Sequence, residues 1–408
     1  MTAMRRAALL FPLLLFPAGA RAQSLDIGIA HTGVSIGNSP RWNGLRINFS
    51  DRNVQAVNGV NLTLWKPPTS HGQADANPDL VVNGLALGLV GPEAAVVNGA
   101  AVGLVGAILH RELNGIGIGG VGLVSDGDIN GIALAGLGTV ADGAMTGISI
   151  AGLGTVAQGD MKGINIAGLG TVAQGSMTGI SLAGLGTVAQ GDMTGISVAG
   201  LGTVAEGDMT GISVAGLGTV AQGDMTGINL AGLATVAEHD LTGLNAAGLA
   251  TVAQGDLSGI TAAGLAAVAE GDLRGLTFSG LAAVAQGTLE GITVSGLAIV
   301  GEQAVCGVAV SLGSIESTGR ISGAVVGGYR IRAPEVRGLA LSVAQLRTTS
   351  FSGIGTGAYV EVKGVQRGLT IAVYNHAREL HGIQLGIINR ADNNRGAARI
   401  LPIINFHR

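Results

Sequence analysis

A lone cysteine, Cys306, has no partner for an internal disulfide, so the fold carries no intrachain covalent staple. It stands just before a repeated glycine where other units carry Thr or Ser, and it reads as a small residue in a turn rather than a reactive thiol. Aromatic residues make up only 3% of the chain, too few for the aromatic girdles of a membrane-spanning barrel. Charged residues make up only 12% against 47% hydrophobic, which excludes a disordered, charge-driven chain. The 72 glycines follow no Gly-X-Y period, so collagen is excluded as well. None of the glycine runs leads into Lys-Ser/Thr, so there is no phosphate loop. What remains is an ordered chain that packs backbones closely and uses small side chains.

The chain is rich in one thing, a repeat. A glycine followed by an apolar or small residue recurs from Gly115 to Gly323 in 13 consecutive steps of 16. A fixed period this short marks a stacked architecture. Each unit begins with alternation, as in Gly195-Ile196-Ser197-Val198-Ala199, and ends in turn-forming pairs such as Gly207-Asp208. Three or four glycines per unit argue against helix, at about 1 kcal/mol each relative to alanine. The reading is an all-β chain forming a single parallel β-solenoid of about 21 short coils with a 16-residue period. Residue i lies over residue i+16, about 4.8 Å away, which makes a rod of about 100 Å. The alternative is a transmembrane β-barrel, since each unit offers about ten apolar residues. Its turns, however, are identical at every unit, and neither face is polar enough to line a channel.

The expected organisation is a signal peptide at 1–22, an N-terminal cap at 23–56, repeats at 57–395 with the regular array at 115–323, and a C-terminal cap at 396–408. The leader reading rests on Arg5 and Arg6, the apolar run Ala7 to Pro17 and a small-x-small site at Ala20-Arg21-Ala22. Export follows from it, and the expected location is a bacterial cell surface, outer membrane or periplasm. Pro67, Pro68 and Pro78 fall in an insertion expected to loop out.

Like residues stack in rows. The Ile and Val of the first strand, Ile196 and Val198 in the unit above, are assigned inward. The Met row from Met145 to Met225, continued by Leu241, Leu257, Leu273 and Leu289, also reads as interior. The leucine of Ala-Gly-Leu, from Leu137 to Leu297, and the following valine have no assigned face, because Gly-Leu-Gly allows a corner; an inward leucine row is the version put to test.

Three rows or clusters are candidates for function. Asp192, Asp208 and Asp224 belong to an acidic row and are weak candidates for a cation, against the plainer reading of Asp in an exposed Gly-Asp turn. Hydroxyl rows run through Thr139 to Thr251 and through Ser149, Asn165 and Ser181. With the 16-residue period and the Ala-Gly-x-Gly-Thr segment they are similar to ice-nucleation repeats, which makes an ice- or water-ordering solenoid a lesser alternative. Charge is uneven: residues 127–318 hold 15 acids against Lys162 and Arg274, whereas residues 319–408 hold 12 Lys/Arg against 4 acids. The candidate anchoring residues are Arg330, Arg332, Arg337, Arg347, Lys363 and Arg367, facing anionic envelope lipid or polymer. Arg378, Arg390, Arg395 and Arg399 extend the same basic part.

No catalytic constellation, cofactor motif or small-molecule site emerges, and nucleic acid is not an expected partner. The segments Gly368-Leu369-Thr370-Ile371-Ala372-Val373-Tyr374-Asn375, Gly382-Ile383-Gln384-Leu385-Gly386-Ile387-Ile388-Asn389 and Pro402-Ile403-Ile404-Asn405-Phe406, with Val57-Asn58-Gly59 and Val82-Asn83-Gly84-Leu85, resemble the leptospiral-type bacterial surface-repeat family. The resemblance implies an exported, surface-associated protein and supplies no catalytic residues. The expected function is a non-catalytic rigid scaffold or adhesive surface; the barrel alternative would make it an outer-membrane protein.

Overall fold

The computed structural model describes residues 24–65 and 79–408. The leader at 1–22 and the insertion with Pro67, Pro68 and Pro78 lie outside the described residues. The chain is nearly all strand, wound into a parallel β-solenoid of about 19 turns, close to the number of units in the sequence; it is not a barrel. No helix among the described residues is long and apolar enough to cross a membrane. The residues divide into two compact units, 1–132 and 133–408.

In the first unit, Ser24–Ile29 and Thr32–Gly37 form an antiparallel hairpin. The second hairpin strand pairs in parallel with Arg41–Asn48, which pairs in turn with Ala56–Thr63. Stacked rows therefore begin inside the segment expected to be a cap. Gly33, Gly44, Gly59, Gly84, Gly99 and Gly115 lie one over another. The residue before each glycine from Gly44 onward is Asn, and the amides form an exposed chain. Asn58 Nδ2 donates to Asn43 Oδ1 at 2.7 Å, Asn83 to Asn58 at 2.7 Å and Asn98 to Asn83 at 2.8 Å. The first turns enclose a charge: fully buried Arg46 donates to Asp51 Oδ1 at 2.6 Å and to Asn61 Oδ1 at 2.7 Å.

The second unit holds most of the regular array. A turn consists of a long strand, Met193–Ala199, a corner at Gly200 and Leu201, a short strand, Gly202–Ala205, and an acidic corner at Glu206 to Asp208. Each strand pairs in parallel with its copy one turn on, in the register Met193↔Met209, Ile196↔Ile212 and Thr203↔Thr219. Hydrogen bonding continues around the leucine corner, where Leu201 N–H donates to Leu185 O at 2.7 Å. Gly195 has φ of +119°, and a Cβ there would stand 2.1 Å from Gly179 O. Only glycine allows this close approach, hence the unbroken glycine row.

Alternation holds along both strands, but its phase is the reverse of the one expected for Ile and Val. Met193, Ser197, Ala199, Thr203 and Ala205 point inward and are buried. Ile196 is 39% exposed, Leu201 47% and Val204 36%, and Val198 is half-buried on the same outer face as Ile196. The inward assignment of the Ile and Val rows is thus overturned, and with it the inward version of the leucine row. The reason is width. Thr171 Oγ1 on the short strand lies 2.9 Å from Ser181 Oγ on the long strand, so the two sheets meet across a single layer of hydroxyls. A space that thin holds Ala, Ser, Thr and one Met or Leu per turn; branched apolar side chains must go outside. The interior reading of the Met and Leu row stands, with Met209 at 3% and Leu241 at 0% exposure.

The last turns have larger inward residues, including Phe351, Val360 and Leu380. The strand Ile400–His407 turns back antiparallel against Gly382–Arg390 and covers the final turn, where a C-terminal cap was expected.

Candidate functional site

The acidic row is a structural device. Asp208 N–H donates to Asp192 Oδ1 at 3.0 Å, Asp224 N–H to Asp208 Oδ1 at 2.8 Å, and Asp240 N–H to Asp224 Oδ1 at 3.0 Å. Each carboxylate therefore receives the backbone N–H of the next turn, where the ladder of strand hydrogen bonds is interrupted. A hydrogen bond from Lys162, joined by the N–H of Ser176, holds the Asp160 carboxyl below the usual carboxylate range. Among the described residues no group of three or more His, Cys, Asp or Glu side chains is placed to hold a metal ion. Asp192, Asp208 and Asp224 are turn acceptors.

Both hydroxyl rows face inward. Thr139 and Ser149 are buried and 2.8 Å apart, and Thr219 Oγ1 donates to Thr235 Oγ1 at 3.2 Å. Neither row can meet external water. The outward hydroxyls are a different row, Thr178, Thr194, Thr210, Thr226 and Thr242, beside the exposed isoleucines.

The basic residues separate into two groups. Arg330 pairs with Glu316, Arg337 Nη2 lies 2.6 Å from Glu335 Oε1, and Arg347 Nε lies 3.3 Å from Glu361 Oε2. Arg390 Nε lies 2.8 Å from Asp392 Oδ1, and this bond holds the Asp392 carboxyl below its ordinary range. Among the described residues Arg332, Lys363 and Arg367 form no such pair.

Arg332, Arg347 and Lys363 come together. Arg332 lies directly under Arg347 in the parallel ladder. With Lys363, Thr318, Thr349 and Glu316 they line a groove of about 420 Å³. Glu316 stacks in register with Arg332 but is engaged by Arg330. The Arg347 guanidinium also sits 5.8 Å from the Tyr359 ring centroid, and Tyr359 stacks on Tyr374 with centroids 5.3 Å apart and planes 7° apart. Burial pushes the Tyr359 phenol up, so it stays a neutral donor at physiological pH. Two guanidinium groups one turn apart repel each other, at a separation of about 4.8 Å along the stack. Glu361 relieves Arg347, while Arg332 and Lys363 remain as uncompensated cations with hydroxyls beside them. That arrangement suits a phosphate or sulfate oxygen set, which accepts from a guanidinium fork and an ammonium together.

The sequence pointed to all three cations but also to Arg330 and Arg337, which are neutralised locally. One partial signal is spacing: Glu316 precedes Arg330 by 14 residues, in the adjacent turn, and Glu335 precedes Arg337 by two on the same strand, but Lys363 has Glu361 at that same spacing of two, so spacing alone does not separate the groups. The stacked tyrosines carried no such signal, because one shared period does not say which rings face outward together. Comparison with family models, curated proteins and solved structures finds no match to this chain.

Proposed function

We propose that this is a non-catalytic, exported repeat protein of a bacterial envelope, acting as a scaffold whose C-terminal turns bind an anionic surface component. The supporting observation is the groove in which Arg332 lies under Arg347 beside Lys363, with two of the three cations free of a carboxylate partner. A stacked fold presents long faces suited to another surface rather than an enclosing pocket. The resemblance of the flanking segments to a surface-repeat family agrees with this reading. The ligand chemistry is phosphate or sulfate, carried by a lipid headgroup or by a polymer.

Binding to vesicles containing anionic lipid, and separately to a soluble sulfated or phosphorylated polymer, distinguishes the two sources. Arg332→Glu with Lys363→Glu should weaken binding by at least about tenfold, the scale of losing two charge-assisted contacts. Arg337→Glu, outside the groove, should change it far less. Binding should fall between low and physiological salt. Equal binding by the double variant and the parent would end the proposal.

A further inference from the structure

The outer face of the long strands is apolar and unpartnered. Its two inner rows are Ile148 to Ile292 and Ile150 to Val294, carried on ten long strands. The same outward rows continue through Val308, Val326, Leu339 and Ile354 on the next four strands, so the face is seven residues wide and fourteen strands deep; about twelve of those strands overlap in the pairing described below, or about 1,300 Å². A stable interface needs about 800 Å² from each partner. Lys162 and Arg274, the basic residues beside these rows, turn away to Asp160 and to Asp256 and Asp272 on the acidic corner. The two apolar rows themselves carry no charge; Glu290, exposed next to Arg274 in the edge row, is the remaining charge at the border of the face.

One irregularity breaks the uniform rows. In the row Val214, Leu230, Ala246, Ala262, Phe278, Val294, two alanines are followed by the largest side chain. The alanines floor a groove of about 630 Å³, bounded by Leu230 on one side and Phe278 on the other. Phe278 is 47% exposed. A knob and a notch side by side in one row are self-complementary under a two-fold axis running along the strands, which brings identical rows face to face with opposite polarity.

We infer that the protein self-associates as an antiparallel dimer through this face, with Phe278 of each copy seated in the Ala246–Ala262 notch of the other. Sheets packed this way lie about 10 Å apart. The register follows. Cys306, in the row just outside the isoleucines, comes opposite the space between Thr210 and Thr226 of the second copy. The two Cys306 residues stay about 26 Å apart. The acidic corners of the central turns run side by side, whereas the basic last turns come opposite the first acidic ones; the apolar contact is what keeps the dimer together as salt is added, opposite to binding at the cation groove.

The test uses the full chain in detergent-free buffer. Sedimentation should show a concentration-dependent dimer that persists or tightens at high salt. Ala262→Glu and Phe278→Ala lie on the outside and should keep the circular dichroism of the parent. The first should weaken the dimer at least about 100-fold, because it sets a charge in an apolar interface centre. A thiol reagent spanning about 10 Å should join Cys306 to an introduced Thr226→Cys of the second copy and leave the parent and Thr146→Cys uncoupled. A monomer at every concentration, an undiminished Ala262→Glu dimer, or equal coupling through Thr146→Cys would each overturn the inference. So would a monomer that enters neutral phosphatidylcholine vesicles, since lipid would then occupy the face.

Discussion

At the scale of single residues, side chains of ordinary character occupy unusual places. Leu201 is an exposed corner residue and Met209 is an interior one. Leu201→Asp should shift stability by no more than about 0.5 kcal/mol, whereas Met209→Asp buries an unpaired charge and should destabilise by several kcal/mol. Urea midpoints of the two variants check this, and the opposite ranking would restore the inward leucine row. Thr203 is fully buried and its hydroxyl finds no partner among the described residues. Thr203→Val keeps the shape and removes that hydroxyl, so it should be neutral or stabilising by about 1 kcal/mol in the same assay. Gly195→Ala should do the reverse. The positive φ alone is worth about 1–3 kcal/mol, and the added Cβ meets backbone rather than a movable side chain.

At the scale of strands and turns, the period, the strands, the turns and the interior Met row were legible in the sequence. The face of the apolar rows was not. Alternation has two phases, and apolar-inward is the usual choice between them. It fails here because the separation of the sheets is set by Thr171 against Ser181, a quantity that one strand's pattern does not contain. The candidate site was half legible for a similar reason. Charge of one sign is visible along a chain, but its neutralisation by a neighbour one turn away, as for Arg330 and Glu316, depends on register. The acidic corner follows the same logic. Asp208 Oδ1 accepts from the N–H of Asp224. Asp208→Asn retains an acceptor and relieves repulsion between stacked carboxylates, so it should be near neutral or slightly stabilising. Asp208→Ala leaves that N–H without its partner and should cost about 0.5–1.5 kcal/mol. Thermal melts of both variants separate a turn acceptor from a cation ligand, since a ligand role would also make the parent's melting temperature rise with added calcium.

At the scale of the molecule, each turn of the array in residues 133–408 pairs only with the turns before and after it. Stability in such a fold is close to a sum of turn and neighbour contributions, so the size of a deletion matters less than its phase. Excising residues 193–208 joins Asp192 to Met209 and keeps every row in place, with Met177 now under Met209 and Thr187 under Thr219. Excising only 201–208 joins Gly200 to Met209 and removes the short strand. The long strand Met193–Ala199 then has no path back to its own level, and a parallel pair cannot form without a return segment. The larger deletion should therefore be the milder one. The 16-residue excision should keep a strand-rich circular dichroism spectrum and cooperative unfolding, with a denaturant slope reduced by the surface of one turn. The eight-residue excision should open two unpaired edges in mid-array, lower the midpoint sharply and promote aggregation through those edges. If the eight-residue variant proved as stable as the 16-residue one, the stacked rows would not be what holds the array together.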